Sequence, residues 1–241
     1  MAITHRLDVW GDLACFTRPE TKVERFSYPV ITPSAARGIF DSIYWEGQRS
    51  GSDICPYFYW QITRIELFRV PRYIALRRNE VKGTVPGTAV LNKWMNGTLA
   101  PQPLVADSGD ETTGRTQRQT MALKDVRYRL HAQIRVMPEF ASQSQKFDSM
   151  FSRRAARGQC FQQPYFGCRE FPAYFEPAHT DLVPINHSQA LGLMLYDVFD
   201  LRRAKVNASA PPFISLYRAQ LRQGVIDVPA YESPDVLKPE G

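Results

Sequence analysis

The chain is long enough for one large domain or two small ones with a real hydrophobic core. It has 241 residues, 44% of them hydrophobic, and a formal net charge of +6 at neutral pH. A moderate basic excess suggests a polyanionic partner, although many ordinary proteins reach this charge. No stretch approaches the roughly 18 to 20 apolar residues of a membrane helix. The start, MAITHRLDVWGDL, lacks the apolar run of a signal peptide, so a cytoplasmic protein without membrane contact is expected.

The cysteines and histidines have no spacing that is typical of a metal site. The cysteines form no C-x-x-C pair, whereas structural zinc needs closely spaced ligands; they are Cys15, Cys55, Cys160 and Cys168. They are interpreted as free thiols in a reducing compartment. The four histidines form no H-E-x-x-H cluster. A metal-dependent mechanism therefore has no support, and no metal or other cofactor is expected.

A short strand and an amphipathic helix come first. In HRLDVWG (5–11), the apolar residues fall on one side of a period-two pattern. The stretch TPSAARGIFDSIYWEG (32–47) predicts a helix with Thr32 as N-cap, Pro33 at its first position and Gly47 as its stop. Its buried stripe is expected to be Ala36, Ile39, Phe40 and Ile43.

Tyr44 stands out because it lies one step off this stripe, on the side that carries Arg37 and Asp41. An aromatic residue at a helix end usually packs against a sheet while its hydroxyl reaches water. From composition alone, packing is the favoured role for Tyr44.

The middle of the chain changes character twice. Residues 54–70 are rich in aromatic and β-branched residues and predict one long strand. Glycine and proline punctuate residues 71–120, which predicts an irregular insertion that could contain a hairpin. Within it, DSGDETTG (107–114) has the composition of a flexible, solvated loop.

The clearest pattern is VRYRLHAQIRV (126–136), which keeps a period of two for eleven residues. One face is apolar, and the other carries Arg127, Arg129, His131, Gln133 and Arg135. A half-buried strand with a cationic outer face is therefore predicted. The wider segment 114–135 adds Arg115, Arg118 and Lys124 against a single acid. Such a segment can neutralise RNA phosphates, or it can be an ordinary solvated strand face.

A second helix and a further strand complete the first part of the chain. SQSQKFDSMFSRRAARG (142–158) predicts the helix, and PYFGCREFPAYFEP (164–177) predicts a strand interrupted by Gly167. Gly167 with Arg169 could let a backbone approach RNA, or Gly167 could mark a bulge. The order of strand, helix, strand, strand, helix and strand predicts an α+β, ferredoxin-like fold. RNA-recognition domains share this order.

The C-terminal part predicts a small antiparallel sheet. Residues 191–201 are expected to form a strand, and 213–228 a hairpin that turns near Gln223-Gly224. The predicted domains are therefore 1–180, ferredoxin-like with the insertion at 71–120, and 181–241, the appended sheet. His131 could act as a general acid or base, since its side chain titrates near neutrality. A lone histidine on a strand is more often an exposed or hydrogen-bonded residue.

Four segments together resemble the CRISPR-associated Cas-five family, specifically the d variant of type I-C systems. They are residues 7–45, which include SIYW, then RTQRQTMALKDVRYRL (115–130), FGCREFPAYF (166–175) and LRQGVIDVP (221–229). The similarity runs over nearly the whole chain. The resemblance implies a role in antiviral immunity, with a ferredoxin-like domain followed by a C-terminal sheet. It implies cleavage of precursor guide RNA at the base of the repeat hairpin. The protein would then stay on the 5′ handle in the interference complex, beside subunits of the seven and eight families.

The resemblance also implies a catalytic set. The family's tyrosine corresponds to Tyr44, and the chemistry is metal-free attack of the ribose 2′-OH on phosphorus, giving a 2′,3′-cyclic phosphate. A lysine and a histidine complete the family's site. If that pair precedes LKDV, it corresponds to Arg118 and Gln119 and the histidine is missing; if it lies on the basic strand, His131 could serve. Arg118 can replace the charge of a lysine but not its role as a proton donor. A tyrosine of ordinary pKa, ~10, is a poor base at pH 7, so Tyr44 either orients the nucleophile or is activated by an arginine.

The expected RNA contacts are Arg37, Arg115, Lys124, Arg127, Arg129, Arg135, Gly167 and Arg169. Two other functions compete with cleavage. One is a non-catalytic subunit that binds the RNA handle, with Tyr44 as a packing residue. The other is binding of double-stranded DNA through the basic face, which would weaken steeply with salt.

Overall fold

The chain folds into three β-sheets and three α-helices within the residues that the structure describes. The structure is a computed structural model and describes residues 3–21, 24–51, 53–82, 86–101, 114–178, 181–207 and 210–239. The helices are α1 (Pro33–Ile43), α2 (Thr88–Met95) and α3 (Ser144–Ala156), and a 3-10 helix (Pro138–Gln143) precedes α3. The strands are β1 (Thr4–Ala14), β2 (Arg25–Phe26), β3 (Gly47–Ser50), β4 (Asp53–Pro56), β5 (Phe58–Leu67), β6 (Arg72–Val81), β7 (Arg115–Val136), β8 (Tyr174–Pro177), β9 (Gln189–Asp197), β10 (Val206–Asn207), β11 (Ser215–Leu221), β12 (Val225–Asp227) and β13 (Val236–Leu237).

The largest sheet has the strand order β12-β5-β7-β1-β8, and β2 and β6 also pair with β7. β1 is antiparallel to β7 and to β8, and β7 is antiparallel to β5. α1 connects β1 to the β5 side of the sheet, and α3 connects β7 to β8. This is the strand order of a ferredoxin-like fold, so the predicted α+β class is confirmed. No described helix is long and apolar enough to cross a membrane.

An aromatic cluster holds α1 and α3 against the same face of this sheet. Phe40 of α1 lies 4.8 Å from Trp60 of β5 and 5.4 Å from Phe151 of α3, measured between ring centroids. Trp60 and Phe151 are themselves 4.6 Å apart. Each of these side chains is at most 2% exposed. Rings of this size bury the most apolar area per residue, so the cluster fixes both helices on the sheet.

The first helix begins as its sequence predicts and ends earlier. Thr32 Oγ1 accepts a hydrogen bond of 3.2 Å from the backbone N–H of Ala35, as an N-cap does. The predicted stop at Gly47 is wrong, because α1 ends at Ile43 and Gly47 already belongs to β3. The backbone of Tyr44 is extended, with φ −154° and ψ 122°. The helix therefore ends on Tyr44 itself, and this conformation sets the direction of its ring.

The predicted strand over 54–70 is in fact two strands in two sheets. β4 ends at Pro56 and β5 begins at Phe58. Proline has no N–H to give to a strand ladder, and the N–H of Tyr57 instead donates to the carbonyl of Glu46 at 3.0 Å. β4 pairs with β3 and β10 in a small separate sheet.

The predicted strand over 164–177 is shorter than expected, since only Tyr174–Pro177 pairs with β1 as a regular strand. Gly167 adopts a left-handed φ of +79°, and a Cβ placed there would lie 2.1 Å from the carbonyl oxygen of Cys15. This close approach of two backbone segments tolerates only glycine. The segment therefore folds back on the residues after β1 before β8 begins.

The predicted C-terminal hairpin has its turn where expected but joins two different sheets. Gln223 and Gly224 both have positive φ, 49° and 77°, as a tight hairpin turn requires. β11 pairs with β9 and β13 in a three-stranded sheet. β12 pairs instead with β5 of the large sheet, with Ile226 opposite Ile65.

The chain divides into two compact units, Met1–Ile74 with Met121–Gly241, and Ala75–Thr120. The second unit holds most of β6, α2 and the first residues of β7, so the predicted insertion does contain paired strands. α2 has no buried residue. The loop predicted at 107–114 lies outside the described residues except for Gly114. The C-terminal sheet belongs to the first unit, and a domain boundary at residue 180 stays a prediction.

Candidate functional site

Tyr44 is fixed at the end of α1 by contacts on three sides. Its ring centroid lies 5.5 Å from that of Phe58, and its carbonyl accepts a hydrogen bond of 3.0 Å from Trp60 Nε1. Its hydroxyl donates to Glu46 Oε1 at 2.7 Å. The residue as a whole is only 2% exposed. Packing and a specific polar contact are therefore both present at Tyr44, and its catalytic role stays a prediction.

Glu46 connects Tyr44 to a cation at the surface. Its second oxygen, Oε2, accepts from Lys146 Nζ at 3.1 Å, and the side chain of Lys146 is 50% exposed. Burial, followed by the hydrogen bond to Glu46, raises the pKa of Tyr44 above its ordinary value, and the nearby Arg154 opposes this rise only weakly. Tyr44 is therefore a neutral hydroxyl at pH 7, and a phenolate activated by arginine is not what this environment favours.

Neither Glu46 nor Lys146 was among the site residues predicted from the sequence. Glu46 could have been found, because it follows Tyr44 by two residues at the end of a helix, where a side chain can fold back. Lys146 lies 100 residues further on, and only the packing of α3 beside α1 brings it near.

His131 lies on the opposite face of the sheet from Tyr44. Its neighbours on β7, Leu130 and Ala132, are fully buried on the helix side, so the alternation of the strand points His131 away from the helices. His131 Nε2 is 3.0 Å from Glu66 Oε1. Burial lowers the pKa of His131, Glu66 raises it less, and Arg64 and Arg6 lower it further. His131 is thus a neutral imidazole at pH 7 that the fold does not bring to Tyr44.

The outer face of β7 is far less cationic than its sequence predicts. Arg129 is 6% exposed and donates twice to Asp8, at 2.7 and 3.0 Å. Arg127 lies 3.8 Å from Glu176. β7 is a central strand, and acidic residues on the neighbouring strands face its arginines. Acidic neighbours therefore neutralise part of the predicted cationic face, although Arg135 at its end is exposed.

Arg37 is also committed to internal contacts. Its Nε and Nη2 donate to the two oxygens of Asp197 on β9, at 2.6 and 3.0 Å, and its Nη1 donates to Asp41. These bonds connect α1 to the C-terminal sheet. Burial raises the pKa of Asp41 to about 6, and the negative charge of Asp197 adds to this rise, against the attraction of Arg37. Arg37 is a structural cation here, and its predicted RNA contact has no geometric support.

The remaining predicted residues are spread over both compact units. Lys124 and Arg169 are exposed in the first unit. Arg115, Arg118 and Gln119 lie on the part of β7 that belongs to the second unit, where Arg118 Nε is 3.3 Å from Glu80 Oε2. Gly167 approaches Cys15 of its own chain, as described above, and this contact accounts for the glycine without RNA.

Comparison with known proteins identifies the family. A model of the Cas5d family, described as a CRISPR-associated protein (Cas_Cas5), matches residues 5–229. The chain belongs to the Cas5d family. The resemblance seen in the sequence is thereby confirmed over nearly the whole chain.

Two Cas5d relatives match this chain over nearly their whole length. Both are named CRISPR pre-crRNA endoribonuclease Cas5d. The one from Mannheimia succiniciproducens is 38% identical over 247 residues, covering 99% of this chain and 100% of that protein. The one from Thermus thermophilus is 33% identical over 248 residues, covering 98% of this chain and 95% of that protein. A solved structure described as a CRISPR-associated protein superimposes with a TM-score of 0.62 at 17% identity, covering 98% of this chain and 96% of that chain. At this identity the likeness shows the fold alone.

Proposed function

We propose that this Cas5d-family protein is an endoribonuclease that cleaves precursor guide RNA at the base of the repeat hairpin. The cut RNA then stays bound by its 5′ handle in the type I-C interference complex. The observation that carries the proposal is the hydrogen-bonded chain from Lys146 through Glu46 to Tyr44, at the position that corresponds to the family's catalytic tyrosine. The names of the two full-length relatives support the same activity.

The proposed reaction uses no metal ion. The ribose 2′-OH attacks the adjacent phosphorus, the bond from phosphorus to the 5′ oxygen breaks, and a 2′,3′-cyclic phosphate forms. Tyr44 holds the 2′-OH in line and takes its proton as its own proton passes to Glu46. Tyr44 gives up its own proton only as it takes the proton of the 2′-OH, because its raised pKa keeps it from being a phenolate at pH 7. The leaving 5′ oxygen takes a proton from water. Lys146 keeps a positive charge near the reacting phosphate.

Cleavage of the cognate repeat RNA in EDTA tests this proposal. We expect cutting in EDTA, no cutting of the same RNA with one 2′-deoxy nucleotide at the scissile position, and a cyclic phosphate product. Tyr44→Phe keeps the ring and its packing but removes the hydroxyl. Its rate should fall by about 10², the usual contribution of a group that moves a proton, while RNA binding persists.

The burial of Tyr44 supports a second candidate function, a non-catalytic subunit that binds the RNA handle. In that case Tyr44→Phe would change nothing, and the wild-type protein would bind repeat RNA without cutting it. Double-stranded DNA is a further proposed partner of the assembled complex. Binding through exposed arginines would be independent of sequence and would fall steeply between low and moderate salt.

A further inference from the structure

An open groove lies at the C-terminal end of α1, and both aromatic and polar residues line it. It has a volume of about 520 Å³, and its lining is Asp41, Ser42, Trp45, Phe161 and Gln162. Two aromatic rings and three polar side chains thus meet in one depression at the end of α1. Trp45 directly follows the proposed catalytic tyrosine in the chain.

Phe161 is the exposed wall of this groove. Phe161 is 66% exposed, which is uncommon for phenylalanine. The guanidinium carbon of Arg154 lies 4.1 Å from the ring centroid. Arg154 is itself held by a hydrogen bond of 2.7 Å from its Nε to the carbonyl of Ile43. The cation therefore covers one side of the ring, and the exposure of Phe161 leaves ring surface for a stacking partner.

A backbone hydrogen bond holds Phe161 in place, and packing over a glycine holds Trp45. The N–H of Phe161 donates to the carbonyl of Ser42 at 2.8 Å, which ties the exposed loop to α1. The ring of Trp45 lies over Gly47, where a Cβ would meet its Cη2 atom at 2.2 Å. Any larger residue at position 47 would displace the indole. The walls are thus preformed, and little conformational freedom is lost when a flat ligand binds.

The floor of the groove is polar. Gln162 carries an amide that can both donate and accept, and its Nε2 is 3.5 Å from Ser42 Oγ. An apolar protein side chain would offer no further hydrogen bond to the exposed amide of Gln162. A nucleobase fits both the aromatic walls and the polar floor of the groove, since its face stacks on an aromatic ring and its edge forms hydrogen bonds.

We propose that Phe161, Trp45 and Gln162 form a binding slot for one unpaired nucleobase of the RNA, at the end of α1 that leads into Tyr44. This inference rests on the proposed function and names the part of the RNA that is held near the reacting phosphate. Stacking on Phe161, with Arg154 behind the ring, supplies most of the affinity. Gln162 can match a donor or an acceptor, so the slot accepts more than one base.

An abasic scan of the RNA tests the slot. The probes are repeat RNAs with 2′-deoxy at the scissile nucleotide, each with one abasic nucleotide, and binding is measured by fluorescence anisotropy. For the wild-type protein, one abasic position should weaken binding about ten-fold, the size of a lost base-aromatic stack. Phe161→Ala should weaken binding of the intact RNA by a similar factor. It should then show no further loss at that one abasic position.

Two further variants keep the test decisive. Phe161→Leu removes the ring but keeps most of the apolar volume, so it disturbs the loop less than Phe161→Ala does. Both variants should show the same loss of affinity, because both lack the aromatic ring. Tyr174→Ala removes an aromatic residue that is 52% exposed on β8, and it should keep the full abasic loss. If both Phe161 variants bind intact RNA like the wild type, or retain the abasic loss, the slot is wrong.

The slot and the nuclease can fail separately. Cleavage of unmodified RNA by the wild-type protein reports the proposed function without reference to Phe161. If the wild type cuts RNA but the scan finds no position coupled to Phe161, only the slot is rejected. If the scan finds such a position but the wild type does not cut, the slot stands in a protein that only binds RNA.

Discussion

The hydroxyl of Tyr44 and Glu46 Oε1 are 2.7 Å apart, with the hydroxyl as donor. Burial raises the pKa of Tyr44 and so keeps the proton on its oxygen, and the hydrogen bond to the carboxylate adds to this effect. The same contact gives that proton a place to go when the 2′-OH is deprotonated. Glu46 is therefore the residue whose replacement separates a packing role for Tyr44 from a catalytic one.

Glu46→Gln should lower the single-turnover cleavage rate by about 10² while RNA affinity changes little, because the amide accepts the tyrosine hydrogen bond but not the proton. Glu139→Gln, at an exposed acid of the 3-10 helix, is the matched control and should cut like the wild type. Equal rates for Glu46→Gln and the control would exclude Glu46 as the proton acceptor.

Asp41→Asn should change the pH dependence of folding stability. The pKa of Asp41 is raised in the folded protein, to about 6 from 3.8, so its protonation favours the folded state. This contribution is fully present below the unfolded pKa and is lost as the pH rises through about 6. Relative to the variant, the wild type should therefore lose on the order of 2 kcal/mol between pH 4 and pH 7. Urea denaturation at both pH values measures this difference, and a constant difference would contradict the prediction.

Gly167→Ala should destabilise the fold by roughly 3 kcal/mol or more, since strain at a left-handed φ adds to a clash with backbone. Gly192 is the matched control, because its φ of +75° is nearly the same as the +79° of Gly167, but no atom of the described residues lies within 4 Å of a Cβ there. Gly192→Ala should cost only about 1 kcal/mol. Denaturant unfolding of both variants compares them. Equal losses would mean that the contact with Cys15 is not rigid.

Arg129→Ala and Arg135→Ala should affect different properties. Arg129 pairs with Asp8, which is 0% exposed, so its removal leaves a buried carboxylate without its arginine and should cost about 3 to 5 kcal/mol of stability. Arg135→Ala should leave stability within about 0.5 kcal/mol of the wild type. If Arg135 contacts RNA, its loss should reduce the slope of log affinity against log salt by about 0.7. Unfolding and salt titrations of both variants test these statements. A destabilised Arg135→Ala variant would show that Arg135 is not a surface residue without a stabilising role.

The sequence predicts the order of elements well where the pattern is local. The alternation in 126–136 correctly identifies the buried face of β7, and Thr32 and Pro33 correctly mark the start of α1. Both signals arise within one strand or one helical turn, so no distant contact is needed to interpret them.

The site was harder to predict because its chemistry depends on neighbours that are distant in sequence. The pattern of its own strand predicts Arg129 as a surface cation. In the fold it is buried and forms an ion pair with Asp8, which lies on another strand. Arg37 likewise appears exposed in its own helix, but it forms an ion pair with Asp197, which is distant in sequence. Pro56 marks the break between β4 and β5 in the sequence, but the hydrogen bond from Tyr57 to Glu46 comes from outside residues 54–70. Charge patterns along a strand therefore predict which face a residue occupies but not whether its charge is available to RNA.

The turn at Gln223-Gly224 has a consequence for shortened versions of this protein. β12 follows that turn and covers the edge of β5, while β11, just before it, belongs to the C-terminal sheet. Gln61 of β5 strengthens this connection by accepting from the backbone N–H of Tyr231 at 2.9 Å. A fragment that stops before residue 213 would uncover the hydrogen-bonding edge of β5, and exposed edges recruit strands from other molecules. Such a fragment should aggregate rather than persist as an independent RNA-binding core.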